Sequence, residues 1–368
     1  MSARVVVTGA GVITALGNDW EDFGAKLAAG YSGIRYMPEW EHYDNLNTKL
    51  AGPVPDFSVP PHYPRKKTRT MGRVAQLATC ASEHALPRAG MLDDPVIRNG
   101  ATGIAYGSCT GSTEASRDFF NMLVNHDTRG VTATTYIRMM NHTAAVNIGM
   151  FFNIKGRVIP TSSACTSGSQ GIGFAYEAIK YGRQTVMLAG GAEELCPTEA
   201  AVFDTLYATS TRNNQPDQTP SPFDRDRDGL VIGEGAGTLV LENLDHAIAR
   251  GAEIVAEVVG FGCNSDGGHV TQPSADTMRI AMELALEDAG IRPAAIGYIN
   301  AHGTATERGD IAESLATREL FGSHIAISSL KGHLGHTLGA CGAIEAWATI
   351  EMMNRGWFSP TLNLHHVD

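Results

Sequence analysis

The stretch VIPTSSACTSGSQGIGFAYEAIKYG, residues 158–182, decides the fold. Its first apolar residues predict the end of a buried strand. Small residues then lead to Cys165, and apolar residues recur at helical spacing up to Gly182. We therefore expect Cys165 at a strand-to-helix turn, where free N–H groups and the helix dipole favour a thiolate and a nucleophilic role. The alternative is a buried structural cysteine, a common role for a lone Cys in an intracellular protein.

Length and composition predict an α/β protein of one large or two fused domains. The chain has 368 residues, of which 43% are apolar and 18% charged. A net charge of −11 argues against general binding to nucleic acid or to anionic membranes. The six cysteines are scattered without a C-x-x-C pair, which favours a reduced cytoplasmic protein without disulfides or a zinc knuckle. We see neither a signal-peptide core nor an apolar run long enough to span a membrane.

Two stretches imitate ligand-binding motifs but have the wrong spacing. In residues 4–17, RVVVTGAGVITALG, Thr14 stands at the third glycine position of the dinucleotide pattern, so nucleotide binding is disfavoured. The run DRDRDG at 224–229 begins like a calcium loop, but its twelfth position is Gly235 instead of the bidentate Glu. We therefore predict no calcium site.

Strands and helices alternate along the chain in two halves, with similar spacing between the elements of each half. We predict helices near 70–90, 135–157 and 277–290, and a buried strand at 184–189 that ends in a Gly-Gly turn. The pattern restarts near residue 252, which predicts two domains that span 1–251 and 252–368. Such alternation is typical of a duplicated α/β architecture, with parallel strands between layers of helices.

Three predicted strand ends carry residues capable of catalysis. Cys165 follows one strand, His302 follows another, and Lys331 and His336 follow a third. A cysteine can hold an acyl group as a thioester, and two histidine N–H groups can bind the enolate oxygen formed when a malonyl thioester loses carbon dioxide. The resulting carbanion can attack the acyl-cysteine. This chemistry needs no metal, flavin or nucleotide.

With these residues, the chain resembles the elongating, Cys-His-His type of β-ketoacyl-[acyl-carrier-protein] synthase in the thiolase superfamily. The resemblance runs from residue 4 to 368 and rests on the motifs TSSACTSG, PSPFDRDRDGLVIGEGAG, NAHGTATERGD and SSLKGHLGHTLGACGA. A thiolase would carry a second catalytic Cys in place of one His, a chain-initiating synthase would carry Asn at position 336, and a chain-length factor would lack the Cys.

The resemblance implies the fold and the reaction. The fold is a five-layered αβαβα sandwich, and the reaction is the decarboxylating Claisen condensation of a 3-oxoacyl-[acyl-carrier-protein] synthase in fatty acid biosynthesis. The substrates are held on the phosphopantetheine of acyl carrier protein, with no other cofactor. The alternatives are a ketosynthase of a specialised polyketide or aryl-polyene-type pathway, a non-catalytic partner subunit, and a thioester hydrolase.

The resemblance also implies residue roles. Cys165 is the nucleophile, His302 and His336 bind the malonyl thioester carbonyl, and Lys331 orders the site in a pair with Glu313. Thr304, Thr306 and Thr271 match positions that contact the phosphopantetheine arm. Phe203 matches a pocket residue near the nucleophile, and Thr110 matches a position that lines the acyl pocket at the dimer interface.

The resemblance extends to partners. The basic cluster, defined as Arg65, Lys66, Lys67 and Arg69, resembles a docking region for acyl carrier protein, and a homodimer is implied, with a heterodimer of related subunits as the alternative. His333 departs from the family, which usually has an apolar or small residue there. Relatives also continue into two core strands and a Gly-Phe-Gly-Gly loop. The resemblance implies that the backbone N–H of Cys165 is one oxyanion donor and that this loop supplies the second. Since the chain stops at Asp368, we expect the sequence to be partial.

Overall fold

The computed structural model describes residues 2–269 and 271–368. The strands are β1 (Val5–Ile13), β2 (Arg35–Tyr36), β3 (Leu50–Gly52), β4 (Thr102–Gly107), β5 (Val158–Thr161), β6 (Val186–Glu193), β7 (Ile232–Gly233), β8 (Gly235–Asn243), β9 (Ala256–Val258), β10 (Tyr298–Asn300) and β11 (Ala326–Ser328). The helices are α1 (Trp20–Ala28), α2 (Arg65–Thr68), α3 (Arg73–Arg88), α4 (Thr113–Asn125), α5 (Ala133–Met139), α6 (Thr143–Phe152), α7 (Ser167–Lys180), α8 (Pro197–Asp204), α9 (Leu244–Ala249), α10 (Ala275–Ala289), α11 (Glu307–Phe321), α12 (Lys331–Leu334) and α13 (Cys341–Arg355).

A mixed six-stranded sheet, the large sheet, forms the centre of the N-terminal half in the order β5-β4-β6-β8-β1-β9. Strand β4 pairs in parallel with both β5 and β6, whereas β8 runs antiparallel to both β6 and β1. The parallel strands β4, β5 and β6 therefore end at the same edge of the sheet, and Cys165 follows β5 at that edge. Strands β10 and β11 pair in parallel as a second, small sheet.

Helices separate and cover the two sheets. Helix α3 packs on one face of the large sheet, and α7 and α13 pack together on its other face. The small sheet meets the far side of α13, where the Asn300 side chain donates a hydrogen bond to Thr349 Oγ1 at 3.1 Å. Helices α10 and α11 pack against each other in the outer layer. This succession of helix, sheet, helix, sheet and helix is the layering that the sequence led us to expect.

The glycines of β1 serve packing between the sheet and α3. A Cβ atom on Gly11 would lie 2.3 Å from the carbonyl oxygen of Ala81, and one on Gly9 would lie 2.6 Å from that of Ala85. Both oxygens belong to the backbone of α3, so only glycine allows the helix to approach this closely. The glycine-rich start of the chain is thus a packing surface inside a buried strand.

Gly11→Ala is expected to lower the free energy of unfolding by about 1–3 kcal/mol, because the added methyl group would force α3 away from β1. Urea denaturation at neutral pH measures this loss. Gly297→Ala is the matched control, since no atom lies within 4 Å of a Cβ built there. Equal effects of the two substitutions would contradict this account of β1.

Two predicted elements differ from the structure. The helix expected over 135–157 is two helices, α5 and α6, because the backbone at Met140 is extended. The Gly-Gly turn is also wrong, because Gly190 and Gly191 lie inside β6. A Cβ on Gly191 would lie 2.2 Å from the carbonyl oxygen of Gly339, so this glycine admits a neighbouring turn against the sheet, whereas a Cβ on Gly190 would lie 1.9 Å from the carbonyl oxygen of Gly237 in the adjacent strand β8. Among the described residues, none of the helices combines the length and apolar character needed to cross a membrane.

Candidate active site

Three chain segments that follow strands bring the predicted cluster together. Cys165 follows β5, His302 follows β10, and His336 lies in the turn between α12 and α13. One donor atom of each of these three side chains lies within 4.8 Å of the others. The expected convergence of these side chains at strand ends is therefore present in the structure.

A strained turn presents the Cys165 thiol. The preceding residue, Ala164, has a φ of 52°, and α7 begins two residues after the cysteine, at Ser167. The Ser167 hydroxyl donates a hydrogen bond to the Ala164 carbonyl at 2.7 Å. The thiol of Cys341 donates to the Cys165 carbonyl at 3.3 Å, which ties this turn to α13. These contacts hold Ala164 in a left-handed conformation that is uncommon for a non-glycine residue.

The pKa of Cys165 moves opposite to our expectation. Burial raises the pKa of this thiol to about 11, although the positive charge of Lys331 acts to lower it. The expectation of a thiolate from the helix position alone is therefore wrong for the resting protein, because desolvation of the charged form outweighs the nearby positive charge of Lys331. Negative charge on the sulfur needs a hydrogen-bond donor at the moment of reaction.

His336 supplies that donor, and its tautomer is fixed. Its Nε2 lies 2.9 Å from the Cys165 sulfur. On the other side of the ring, the backbone N–H of Leu338 donates to Nδ1 at 3.2 Å. Because Nδ1 accepts this hydrogen bond, the ring proton of the neutral imidazole resides on Nε2 and points at the sulfur. Leu338 was not predicted as a site residue, and its role is carried by the backbone, which leaves no mark on the sequence.

Both histidines are held in the neutral form. The rings of His302 and His336 are 5.0 Å apart between centroids and nearly perpendicular. Burial, followed by the charge of Lys331, lowers the pKa of His336 well below its ordinary value. The same two causes lower the pKa of His302. The His302 side chain is accessible from the pocket, so desolvation acts on it fully only when a substrate fills that pocket. Neutral imidazoles can donate N–H groups to a developing negative charge.

The buried Lys331 pairs with a residue that our sequence analysis did not predict. Its Nζ lies 2.6 Å from Glu345 Oε1 on α13, and the expected pairing with Glu313 is wrong. Glu313 instead accepts the backbone N–H groups of His302 and Gly303, each at 2.7 Å. Glu313 therefore positions the His302 loop, whereas Glu345 neutralises the lysine. The sequence offered one signal for Glu345, which is a lone acidic residue in the apolar first turns of α13.

His333 is a buried structural histidine behind the site. Its Nδ1 lies 2.8 Å from the Tyr31 carbonyl, to which it donates a hydrogen bond, and its Nε2 lies 3.4 Å from the Ser359 hydroxyl. Burial lowers its pKa. His333 therefore links the N-terminal segment to α12, which carries Lys331, and to the following turn, which carries His336.

The buried neutral state of His333 predicts an acid-sensitive contribution to stability. Since its pKa is lower in the folded than in the unfolded protein, its contribution is present above about pH 6.5 and is lost as the pH falls below that value, by up to ~1.4 kcal/mol per pH unit. His333→Asn should therefore lessen the acid dependence of the free energy of unfolding, measured by urea denaturation from pH 8 to pH 5. Parallel curves for the two proteins would contradict this assignment.

The cysteine and two histidines do not fit a metal site. Among residues 2–269 and 271–368, they form the one group of such side chains with donor spacing compatible with a bound ion. A metal would need a lone pair at His336 Nε2, with the ring proton on Nδ1. Nδ1 already accepts the N–H of Leu338, so Nε2 carries the proton and cannot ligate an ion.

A cavity of about 650 Å³ opens onto the cluster. The predicted substrate-contacting residues that line it together with Cys165 are Phe203, Thr271, Thr304 and Thr306. The hydroxyls of Thr304 and Thr306 are 2.9 Å apart, so they form a polar pair on one wall. Thr271 is exposed at the mouth of the cavity, next to Val270, which lies outside the described residues.

The other predicted residues lie away from this cavity. Thr110 lines a second cavity of about 490 Å³ with Met139, Met140 and Pro160 among its walls. The basic cluster forms the short helix α2 and the residue that follows it. Three of its members are exposed, whereas Lys67 turns inward to the Phe151 carbonyl and lies over the Phe151 ring.

The family models match nearly the whole chain. The β-ketoacyl synthase N-terminal domain matches residues 2–247, and the β-ketoacyl synthase C-terminal domain matches residues 255–365. The chain therefore belongs to the β-ketoacyl synthase family, which confirms the resemblance found in the sequence.

Related proteins support the same family and fold. The chain is 39% identical to 3-oxoacyl-[acyl-carrier-protein] synthase 2 of Vibrio cholerae, over 99% of this chain and 89% of that protein. The crystal structure of a β-ketoacyl synthase from Burkholderia phymatum is 60% identical, with a TM-score of 0.98 over 100% of this chain and 90% of that one. The ishigamide ketosynthase/chain length factor is 32% identical, with a TM-score of 0.90 over 100% of this chain and 90% of that one. The predicted α/β, thiolase-like fold is confirmed.

Proposed function

We propose that the protein is a 3-oxoacyl-[acyl-carrier-protein] synthase, an acyltransferase that forms a carbon–carbon bond by decarboxylating Claisen condensation. One observation carries the proposal: His336 Nε2–H points at the Cys165 sulfur from 2.9 Å, with its tautomer fixed by Leu338, and a second neutral imidazole stands beside it. The arrangement suits negative charge that develops first on sulfur and then on an enolate oxygen.

The first half-reaction transfers an acyl group to Cys165. The sulfur attacks the thioester carbonyl of the acyl-carrier protein, the carbon–sulfur bond to the carrier breaks, and the proton of the cysteine thiol ends on the released phosphopantetheine thiol. His336 stabilises the charge on the sulfur through its Nε2–H. Because the resting thiol is neutral, this donor matters most as the sulfur loses its proton.

The second half-reaction uses both histidines. The malonyl carrier thioester loses carbon dioxide, and the bonding electrons form an enolate whose oxygen accepts hydrogen bonds from His302 and His336. The enolate carbon attacks the acyl-cysteine carbonyl, and the cysteine leaves as a thiolate and takes a proton from solvent. The products are the β-ketoacyl carrier thioester and carbon dioxide. Lys331 contributes by keeping both histidines neutral through its charge.

The two proposed halves divide these tasks. The half spanning 1–251 supplies the nucleophile, and the half spanning 252–368 supplies the histidines and Lys331. We assign Thr304, Thr306 and Thr271 to the phosphopantetheine arm because they line the route to the cysteine.

The proposed partner is acyl carrier protein, an acidic protein that would dock on the exposed members of the basic cluster. Electrostatic complementarity would steer that encounter. A homodimer is the proposed assembly, and a heterodimer with a related subunit is the alternative that the ishigamide ketosynthase/chain length factor suggests. The cytoplasmic location stays a prediction.

The second candidate function is the same condensation in a specialised polyketide or polyene pathway. The structural similarity to a ketosynthase that was solved in complex with its type II PKS acyl-carrier protein favours it. A non-catalytic subunit is disfavoured, because the cysteine, both histidines and the buried lysine are assembled in one site, and both histidines are in the neutral form that condensation requires.

The proposal is tested by counting carbon dioxide against product. With an acyl-carrier thioester and a malonyl-carrier thioester labelled in its free carboxyl, we expect one labelled carbon dioxide for each β-ketoacyl product. Turnover with saturated and with polyene acyl chains separates the two pathways. Release of free acid without carbon dioxide would contradict condensation and would indicate a thioester hydrolase.

A further inference from the structure

One segment of the wall of the Cys165 cavity runs from the protein interior to the surface. Thr304 is buried, Thr306 is half-buried and Arg308 is exposed, and all three line the cavity. Gly309 keeps this segment close to the threonines, since a Cβ built there would lie 2.5 Å from Thr306 Oγ1. Arg308 therefore stands at the exposed end of the wall that carries the two threonine hydroxyls.

The fold does not explain the positive charge of Arg308. It is the second residue of α11, where a cation is opposed by the helix dipole. The residues three and four positions further along α11 are Ile311 and Ala312, so the helix offers it no acidic partner, and the adjacent Glu307 does not face it. Within residues 2–269 and 271–368, its guanidinium forms neither a hydrogen bond nor an ion pair. This cation is therefore available to a ligand.

Most other charged groups on this wall are already satisfied. Arg227, the other cationic side chain on the described part of the wall, is buried, and its Nη1 donates to Asp368 Oδ2 at 2.8 Å. Three acidic residues accept hydrogen bonds from hydroxyl or backbone N–H groups; they are Asp228, Asp310 and Glu313. Glu307, the fourth acidic residue of the wall, is exposed next to Arg308. An anion that enters the cavity mouth thus has Arg308 as its available cation.

We propose that Arg308 is a positioning residue that binds the phosphate of the phosphopantetheine arm. The arm carries the thioester at one end and a negatively charged phosphate at the end joined to the carrier protein. With the thioester at Cys165 and the middle of the arm along Thr304 and Thr306, the phosphate reaches the exposed end of this wall. A guanidinium can donate two parallel N–H groups to phosphate oxygens. The inference rests on the proposed function and adds a contact to the same site.

The test compares acylation of Cys165 by two small thioesters, acyl-phosphopantetheine and acyl-pantetheine, which differ only in the phosphate. For the wild-type protein we expect kcat/KM to be about 10-fold higher with the phosphate, chiefly through a lower KM, because the contact is the same before and during reaction. Arg308→Met should remove this preference, and Arg308→Lys, which keeps the charge, should retain most of it. Glu307→Gln should enlarge it by removing a neighbouring negative charge. Arg292→Met, at an exposed position outside the cavity wall, is the control.

The outcomes separate this inference from the proposed function. Equal kcat/KM values of the wild-type protein for the two thioesters, or a preference that survives in Arg308→Met, would overturn the role of Arg308. An effect of Arg308→Met confined to the carrier-bound substrate would also overturn it, because Arg308 would then contact the carrier protein itself. So would acylation by the carrier-bound thioester combined with no reaction of acyl-phosphopantetheine. In all these cases Cys165 is still acylated and the proposed function stands. Failure of every thioester, carrier-bound or free, to acylate Cys165 would contradict the proposed function.

Discussion

His336→Gln is expected to slow both half-reactions, whereas His302→Gln is expected to slow only the condensation. The difference follows from geometry, since only His336 contacts the Cys165 sulfur, at 2.9 Å, while both imidazoles face the site of the enolate. Removing one donor to a developing oxyanion typically lowers the rate by about 100- to 1,000-fold. Single-turnover acylation, followed by carbon dioxide release from the malonyl thioester, measures the two steps separately.

The control for this pair is His324→Gln, which alters an exposed histidine and should leave both rates unchanged. If His302→Gln slowed acylation as strongly as His336→Gln, the assignment of sulfur stabilisation to His336 alone would be wrong. If neither variant slowed carbon dioxide release, the histidines would not be the enolate donors.

Lys331→Met should have two separable effects, on stability and on the pH dependence of activity. Lys331 is 1% exposed and Glu345 forms its buried partner, so the loss of the lysine leaves an unpaired carboxylate and should cost about 3–5 kcal/mol of folding free energy. The lysine charge also lowers the pKa of His302 and of His336. Its removal should raise both pKa values, so that activity is lost at a higher pH on acidification.

The double variant Lys331→Met/Glu345→Met distinguishes the two effects. Stability should return towards that of the wild-type protein, because both charges are gone, while the altered acid limb of the pH–rate profile remains. Arg355→Met removes a partner from the more exposed Arg355–Glu351 pair and should cost less than about 1 kcal/mol. A double variant as unstable as Lys331→Met alone would show that Glu345 is not the partner that matters.

Sequence patterns were sufficient to locate the residues that act at strand ends. The small-residue turn before Cys165, and the histidines placed directly after apolar runs, are local signals, and parallel strands bring such positions to one edge of a sheet. The motifs around them also fixed the family. These patterns therefore identified the catalytic cysteine and histidines, together with the strands that they follow.

The missing parts of the site depend on contacts between distant segments. Glu345 pairs with Lys331 only because α13 packs behind α12. Glu313, which we expected in that pair, lies on α11 and accepts the backbone N–H of His302 instead. The raised pKa of Cys165 reflects burial by all surrounding layers, which a helix position alone does not reveal. Gly190 and Gly191 were interpreted as a turn because glycine is permissive in turns, whereas close packing against β6 requires them.

The most direct test of the condensing mechanism is the intact mass of the protein after exposure to an acyl-carrier thioester and then to a malonyl-carrier thioester. We predict a gain of one acyl group, absent in Cys165→Ala, that disappears on addition of the malonyl donor as one β-ketoacyl product forms. A protein that never gains the acyl mass, or that gains it equally in Cys165→Ala, would contradict the account.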